Sequence, residues 1–198
     1  AAMSQRTDRE LVEAARAGDT EAFSAVVRRH QRRVYRLALH LVRNAAEAED
    51  VTQETFVRAY GALDRFDGRS EPFTWIYRIA VNLSLNAIRA RKPSQRSTTP
   101  DDPRIESLLV ERRASLASPE GVREDRELAL ALCAGIDALS EVLRTTLVLV
   151  VVDGLSHADA SKVLGCSEGT VAWRVHEARR KLREFLMENG HGGATDGR

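Results

Sequence analysis

The side chains best placed to do chemistry in this chain are cations, amides and tryptophans set at helical spacings, and the chemistry they offer is binding. Trp75, Arg78, Asn82 and Arg89 stand three, four and seven residues apart, with Lys92 three further on. Those steps put them on one face of a single helix. An aromatic ring stacks on unpaired bases, an amide reads a base edge and cations track phosphates, so this face suits single-stranded nucleic acid. The competing structural reading packs Trp75 sideways into the core. A second group, Asp50, Gln53 and Glu54, falls at i, i+3 and i+4. It is either a solvated surface or an acid-and-amide docking face for a basic partner helix.

The third group is the most specific. From Gly154 to Leu186 the sequence reads as a short capped helix, a Gly-Cys-Ser turn at 165–167 and a longer capped helix. That is the pattern of a helix-turn-helix, whose second helix enters the major groove. Val171, Val175, Ala178 and Leu182 take the inner face of that helix. Gly169, Trp173, His176 and Arg180 take the outer one, flanked by Ala172, Arg174 and Arg179. Arginines in such positions bind phosphates or guanine edges.

Catalysis finds little support. The chain has no Gly-rich phosphate loop and no nucleophile setting. His30, His40, His157, His176 and His191 are scattered, none with a ligand residue at i+4. No metal or cofactor is expected. Cys133 and Cys166, 33 residues apart with no metal-ligand spacing, are expected to be two buried thiols in a reducing compartment. No run approaches the ~20 apolar residues of a membrane span, and there is no apolar signal core at the N-terminus, so neither insertion nor export is expected. The 198 residues carry a net charge of only +1, so the placement of charge matters more than its sum.

The elements that position these groups can be read from periodicity. Aromatics are 5%, which disfavours sheets, and the expected class is all-α: two small helical domains joined by a flexible linker. A first helix spans Asp8 to Ala17, with Leu11, Val12 and Ala15 inward. A second starts at an Asp19 or Thr20 cap and buries Phe23, Val26, Val27, His30, Val34, Leu37, Ala38 and Leu41. Its other face holds Arg28, Arg29, Arg32, Arg33, Arg36 and Arg43, with no acid between Phe23 and Asn44. Asn44 with Glu47 opens a third helix. A charged, Gly-containing loop at 64–71 precedes a fourth, with Pro72 in its first turn and Phe73, Ile76, Ile79, Ala80, Leu83 and Ala87 inward.

Between Pro93 and Pro119 prolines and hydroxyls break the periodicity, and a linker is expected, with at most a turn around Ile105 to Arg113. Helices resume after Glu120. Ser140 is expected to cap a helix running to Val152, Ser156 with Asp159 the next, and Ser167 the last. The expected domains are 8–92 and 120–187, around the linker 93–119 and before a disordered tail at 188–198.

Three stretches in order resemble one family. The segment from Ala48 to Tyr60 (AEDVTQETFVRAY) resembles the polymerase-clamp-binding helix of bacterial sigma factors. The segment from Phe73 to Asn82 (FTWIYRIAVN) is similar to the helix that reads the −10 promoter element in the extracytoplasmic-function (ECF) group. The stretch from Gly154 through Val171, then Ala178 to Leu182, resembles that group's −35 reader. The resemblance spans about Leu11 to Leu186.

It implies a non-enzymatic initiation factor that binds core RNA polymerase and directs promoter-specific transcription, reading −35 as duplex and −10 as melted strand. Asp50, Gln53 and Glu54 would contact polymerase. Asn82 would help hold a flipped base, beside Trp75, Arg78, Arg89 and Lys92. Ser167, Thr170, Trp173, Arg174, His176, Arg179 and Arg180 would lie at the −35 element. Ala172 and Trp173 depart from a frequent basic-plus-serine pair, and Glu177 stands where arginine is common. The implied partners are the β′ clamp helices and β flap of polymerase, promoter DNA and an anti-sigma factor. The implied location is the cytoplasm, on the nucleoid when polymerase-bound. An autonomous helix-turn-helix regulator is the alternative; it would leave the third and fourth helices' faces unexplained.

Overall fold

The computed structural model describes residues 6–90, 102–110 and 119–191, and every regular element among them is helical. In the first unit α1 (Asp8–Arg16), α2 (Thr20–Val42), α3 (Ala45–Gly61) and α4 (Pro72–Ala90) pack around Leu11, Val26, Val34, Leu37, Leu41, Val51 and Ile76. A short 3-10 turn, Leu63–Arg65, leads into the 64–71 loop. Each such side chain, taken fully out of water, contributes on the order of 1.5–3 kcal/mol.

The helix starts follow the local chemistry. Asp19 accepts the Ala22 N–H (3.1 Å), Asn44 that of Glu47 (3.0 Å), Ser156 that of Asp159 (3.0 Å) and Ser167 that of Thr170 (3.1 Å). A capping box at Thr7 and Glu10, not among the expected starts, opens α1. Ser140 departs from expectation. It stands at the N-cap of α7, but its side chain makes no capping hydrogen bond.

The second unit comprises α6 (Pro119–Ala138), α7 (Glu141–Leu147), α8 (His157–Leu164) and α9 (Glu168–Glu188). The β-branched run that follows α7 is helical but widened, forming a π-helical turn at Val148–Val152. β-Branched residues crowd the α-helical turn, and here burial of Val148 and Leu149 outweighs that preference. At Gly135 α6 passes so close to α9 that a Cβ would lie 2.4 Å from Leu182 Cδ1.

The two units share one continuous core, with α4 packed on α8 and α2 on the π-helical turn. This corrects the expected face of α4. Its buried residues include Ile76, Tyr77, Ala80, Val81, Ser84 and Ile88, whereas Phe73, Ile79, Leu83 and Ala87 are only half-buried. α4 buries one side in its own bundle and another under α8, so its covered arc is rotated from the single-bundle prediction.

The linker is more ordered at its centre than its composition predicts. α5 (Pro103–Val110) packs against α6 and α2, with Ile105 and Leu109 beside Ala129 and Cys133. Arg104, 1% exposed, gives Nε and Nη2 to Asp102 (2.9 and 2.6 Å) and Nη1 and Nη2 to Asp137 (2.7 and 2.9 Å). Residues 111–113 of the expected turn lie outside the described residues. At the other end, the His191 N–H reaches Leu186 O at 2.8 Å, so the expected disordered tail begins with residues tied to α9.

Cys133 is buried, its thiol pushed up to about 12 by burial. Cys166, expected to be buried, is half-exposed in the helix-turn-helix turn, where Arg174 Nη1 lies 3.7 Å from its Sγ. No helix among the described residues is long and apolar enough to cross a membrane.

Candidate nucleic-acid and partner interfaces

On α4, Arg78 and Asn82 are exposed, as their spacing requires. Trp75 is half-buried. Half of it packs on Phe66, with ring centroids 5.0 Å apart, and the rest walls a shallow concavity of about 260 Å³. Arg58, Ala62, Ile79, Asn82, Leu83 and Asn86 complete the lining. Arg58 and Asn86 are not among the residues expected from sequence. Asn86 follows Asn82 at i+4, a spacing that could have flagged it, whereas Arg58 comes from another helix and gives no local signal. Arg89, expected among the DNA-facing cations, is instead paired with Glu141 of the second unit at 2.7 Å. Lys92 lies outside the described residues.

The loop beside this concavity is anchored from two sides, by α4 at Phe66 and by α1 at Gly68 and Glu71. Phe66 is buried under Trp75. Arg9 of α1 donates Nη1 to Gly68 O (3.0 Å) and Nη2 to Glu71 (3.1 Å). Gly68 has φ 73°, a left-handed conformation that costs a side chain strain.

On α3, Asp50, Gln53 and Glu54 all face solvent, and Glu54 is partly engaged by Arg58 at 2.7 Å. Val57, a turn further along, is 65% exposed. The surface is thus an acidic stripe with an apolar end. Nothing in the sequence marks Val57, because an isolated valine carries no pattern.

The helix-turn-helix is formed as expected. Gly165 turns with φ 66°, and Val171, Val175 and Ala178 are buried while Leu182 is half-buried. Trp173 is 62% exposed, and His176 and Arg179 also face solvent. Ser167 and Thr170 serve the cap first, their hydroxyls 2.8 Å apart. Arg174 is half-buried against Cys166. Arg180 is the main departure: Glu177 (2.7 Å) and Glu184 (2.5 Å) clasp it within its own helix, so its charge is compensated before any phosphate arrives.

The buried histidines serve structure. His30 Nε2 lies 2.6 Å from Asp8 Oδ2, and this contact is the main reason the Asp8 carboxyl stays below its ordinary range. Burial pushes His40 down to about 3. Among the described residues no group of three His, Cys, Asp or Glu side chains could hold a metal ion.

Residues 26–93 match the model for Sigma-70 region 2, and residues 131–182 that for Sigma-70, region 4. The RNA polymerase sigma-H factor of Pseudomonas aeruginosa is 35% identical over 190 residues, covering 93% of this chain and 96% of that one. The ECF RNA polymerase sigma-E factor of Escherichia coli K12 is 36% identical over 181 residues, covering 90% and 93%. Among solved structures, CnrH in complex with the cytosolic domain of CnrY superimposes with a TM-score of 0.69 at 26% identity, over 92% of this chain and 99% of that one. The sigma factor RpoE of Bartonella quintana, solved with the anti-sigma factor NepR, shares the fold (TM-score 0.61, 20% identity, 85% and 98% coverage).

Proposed function

Because this chain is an RNA polymerase sigma factor of the ECF group, directing promoter-specific transcription, we propose how its surfaces divide that work. Residues 8–92 bind polymerase and capture the melted −10 strand, residues 120–187 read the −35 duplex, and 93–119 connect them. The chain works by binding and not by catalysis. Asp50, Gln53 and Glu54 dock on the β′ clamp helices, with Val57 adding an apolar contact. The β flap receives the second unit. An anti-sigma factor is a further partner, as NepR is for the sigma factor it accompanies. The working location is the cytoplasm, on the nucleoid when polymerase-bound.

The observation that carries this reading is the concavity on α4. An exposed amide, Asn82, stands at a pocket walled by the Trp75 ring and floored by Ile79 and Leu83. A base that leaves the stack forfeits a few kcal/mol. A pocket offering an aromatic wall and a base-edge partner returns part of that, while polymerase holds the protein in place. Arg78 supplies phosphate contact beside it. The −35 reader needs intact duplex, because only the major groove distinguishes all four base pairs. There Trp173 and Arg179 are the free contacts, and Arg174, His176, Ser167 and Thr170 support them.

The test separates the two jobs. Asn82→Ala, assembled with core polymerase on a promoter selected from a library, should retain −35 engagement but lose permanganate reactivity of unpaired thymines at −10. Normal melting by this variant would remove Asn82 from the site.

A further inference from the structure

The outer face of α9 carries an acid where a helix that approaches phosphates has least use for one. Trp173, Glu177, Arg180 and Glu184 stand at steps of four, three and four residues, so they form one stripe along the helix. Val171, Val175 and Ala178 are buried on the other side. The stripe begins with an exposed indole and continues, one turn on, with a carboxylate.

That carboxylate is held still. Arg180 donates Nε to Glu177 Oε2 (3.0 Å) and Nη2 to Glu177 Oε1 (2.7 Å), while its Nη1 goes to Glu184 (2.5 Å). Two parallel bonds from a planar guanidinium fix both the position and the plane of the acid. The same hydrogen bonds, followed by the charges of Arg180, Lys181 and His176, hold the Glu177 carboxyl below its ordinary range. Glu177 therefore stays ionised, half-buried and oriented.

Stability does not account for the arrangement, because ion pairs on an exposed helix surface stabilise a fold little. Phosphates repel a carboxylate, so an acid on this face needs a favourable contact to offset the repulsion. The base edges supply one. An ionised carboxylate only accepts hydrogen bonds, and its two oxygens offer about four lone-pair positions, of which Arg180 takes two. In the major groove guanine and thymine present acceptors, and adenine pairs its amine with an acceptor at N7. Cytosine alone presents a donor with no acceptor beside it, its N4 amine. The acid on this stripe is thus matched to cytosine and opposed to the rest.

The helix also sets where that cytosine lies. Four residues advance about 6 Å along an α-helix, and base pairs stack about 3.4 Å apart. A carboxylate one turn beyond Trp173 meets a base pair one or two steps from the pair that the indole covers.

We propose that Glu177 is a specificity-determining residue of the −35 reader, accepting the N4 amine of a cytosine one or two base pairs from the pair under Trp173, with Arg180 as its positioning residue. The inference rests on the −35 reading proposed above. Arg180, its own charge compensated, acts on base choice through Glu177.

Transcription by core polymerase with the full chain, on a promoter library randomised across −35, tests this. The wild type should favour cytosine at one position by at least about fivefold, the usual cost of a mismatched pair. Glu177→Ala should flatten that position and leave the others. Glu177→Gln should move the preference to adenine and Glu177→Arg to guanine, because amide and guanidinium match those edges. Arg180→Gln should weaken the cytosine preference without moving it to another base. Circular dichroism should show wild-type helix content in every variant, since neither side chain lies in the core. Glu177 variants that change activity on all promoters alike, with the order of bases unaltered, would overturn the proposal and leave Glu177 as a brace for Arg180; the −35 reading would stand. A wild-type chain with no base preference anywhere across −35 would overturn both.

Discussion

At the scale of single residues, the recognition helix offers fewer free contacts than its composition suggests. Arg180 is spent on Glu177 and Glu184, and Ser167 and Thr170 on the cap. That leaves Trp173, His176 and Arg179 exposed, and of these Trp173 and Arg179 have opposite physics. An indole in the major groove covers a thymine methyl and so reads sequence, whereas an exposed guanidinium neutralises phosphate and reads none. Trp173→Ala should relax preference at one or two −35 positions by about 1–3 kcal/mol. Arg179→Ala should weaken all promoters alike and flatten the salt dependence by about one charge. A promoter-variant transcription series at two salt concentrations distinguishes them. Unchanged −35 preference in Trp173→Ala would make that ring a protein contact instead.

At the scale of elements, the helix starts are legible because their signals are local: Asp19, Asn44, Ser156 and Ser167 each bond an amide three residues on. The face of α4 is not, because which side of a helix is buried depends on every partner it has, and α8 arrives from more than 60 residues away. α5 reads as a turn in sequence because an eight-residue helix is marginal on its own; the cluster of Arg104 with Asp102 and Asp137 that holds it is invisible to periodicity. The α4 site is legible as Trp75, Arg78 and Asn82, while Arg58 and the anchoring Arg9 belong to other helices.

Arg9 yields the prediction at this scale. It fixes the 64–71 loop through Gly68 O and Glu71, and one lost hydrogen bond of this kind is worth about 1 kcal/mol. Arg9→Ala should therefore reduce open-complex formation by about fivefold to tenfold while core binding and −35 engagement stay at wild-type level. Arg9→Lys should recover only part, since an ammonium cannot span two acceptors as a guanidinium fork does. Equal loss of core binding in Arg9→Ala would reassign the residue to the fold at large.

At the scale of the whole molecule, a buried histidine ties stability to pH. His40 is 1% exposed. Burial, followed by the charges of Arg104 and Arg36, pushes it down to about 3, against the opposing pull of Asp102 and Asp137. The unfolded chain releases that histidine to an ordinary value near 6.5. Between about 6.5 and 3 the unfolded state therefore binds the extra proton, so stability falls as pH drops through this window and is level above it. The slope is about 1.4 kcal/mol per pH unit, or about 2 kcal/mol lost between pH 7.5 and pH 5. Asp153 has the opposite sign: burial raises its carboxyl, so the folded state holds its proton longer, and acid relieves that strain. Comparing wild type with His40→Leu cancels the Asp153 contribution, because both chains carry it. Leucine suits a site enclosed within the core, and the variant should lose about 2 kcal/mol less than wild type on acidification to pH 5. Urea denaturation at the two pH values gives the difference directly. Equal losses in the two proteins would mean that the protonated imidazole is accommodated in the fold, through Asp102 and Asp137, and that acid weakens this molecule elsewhere.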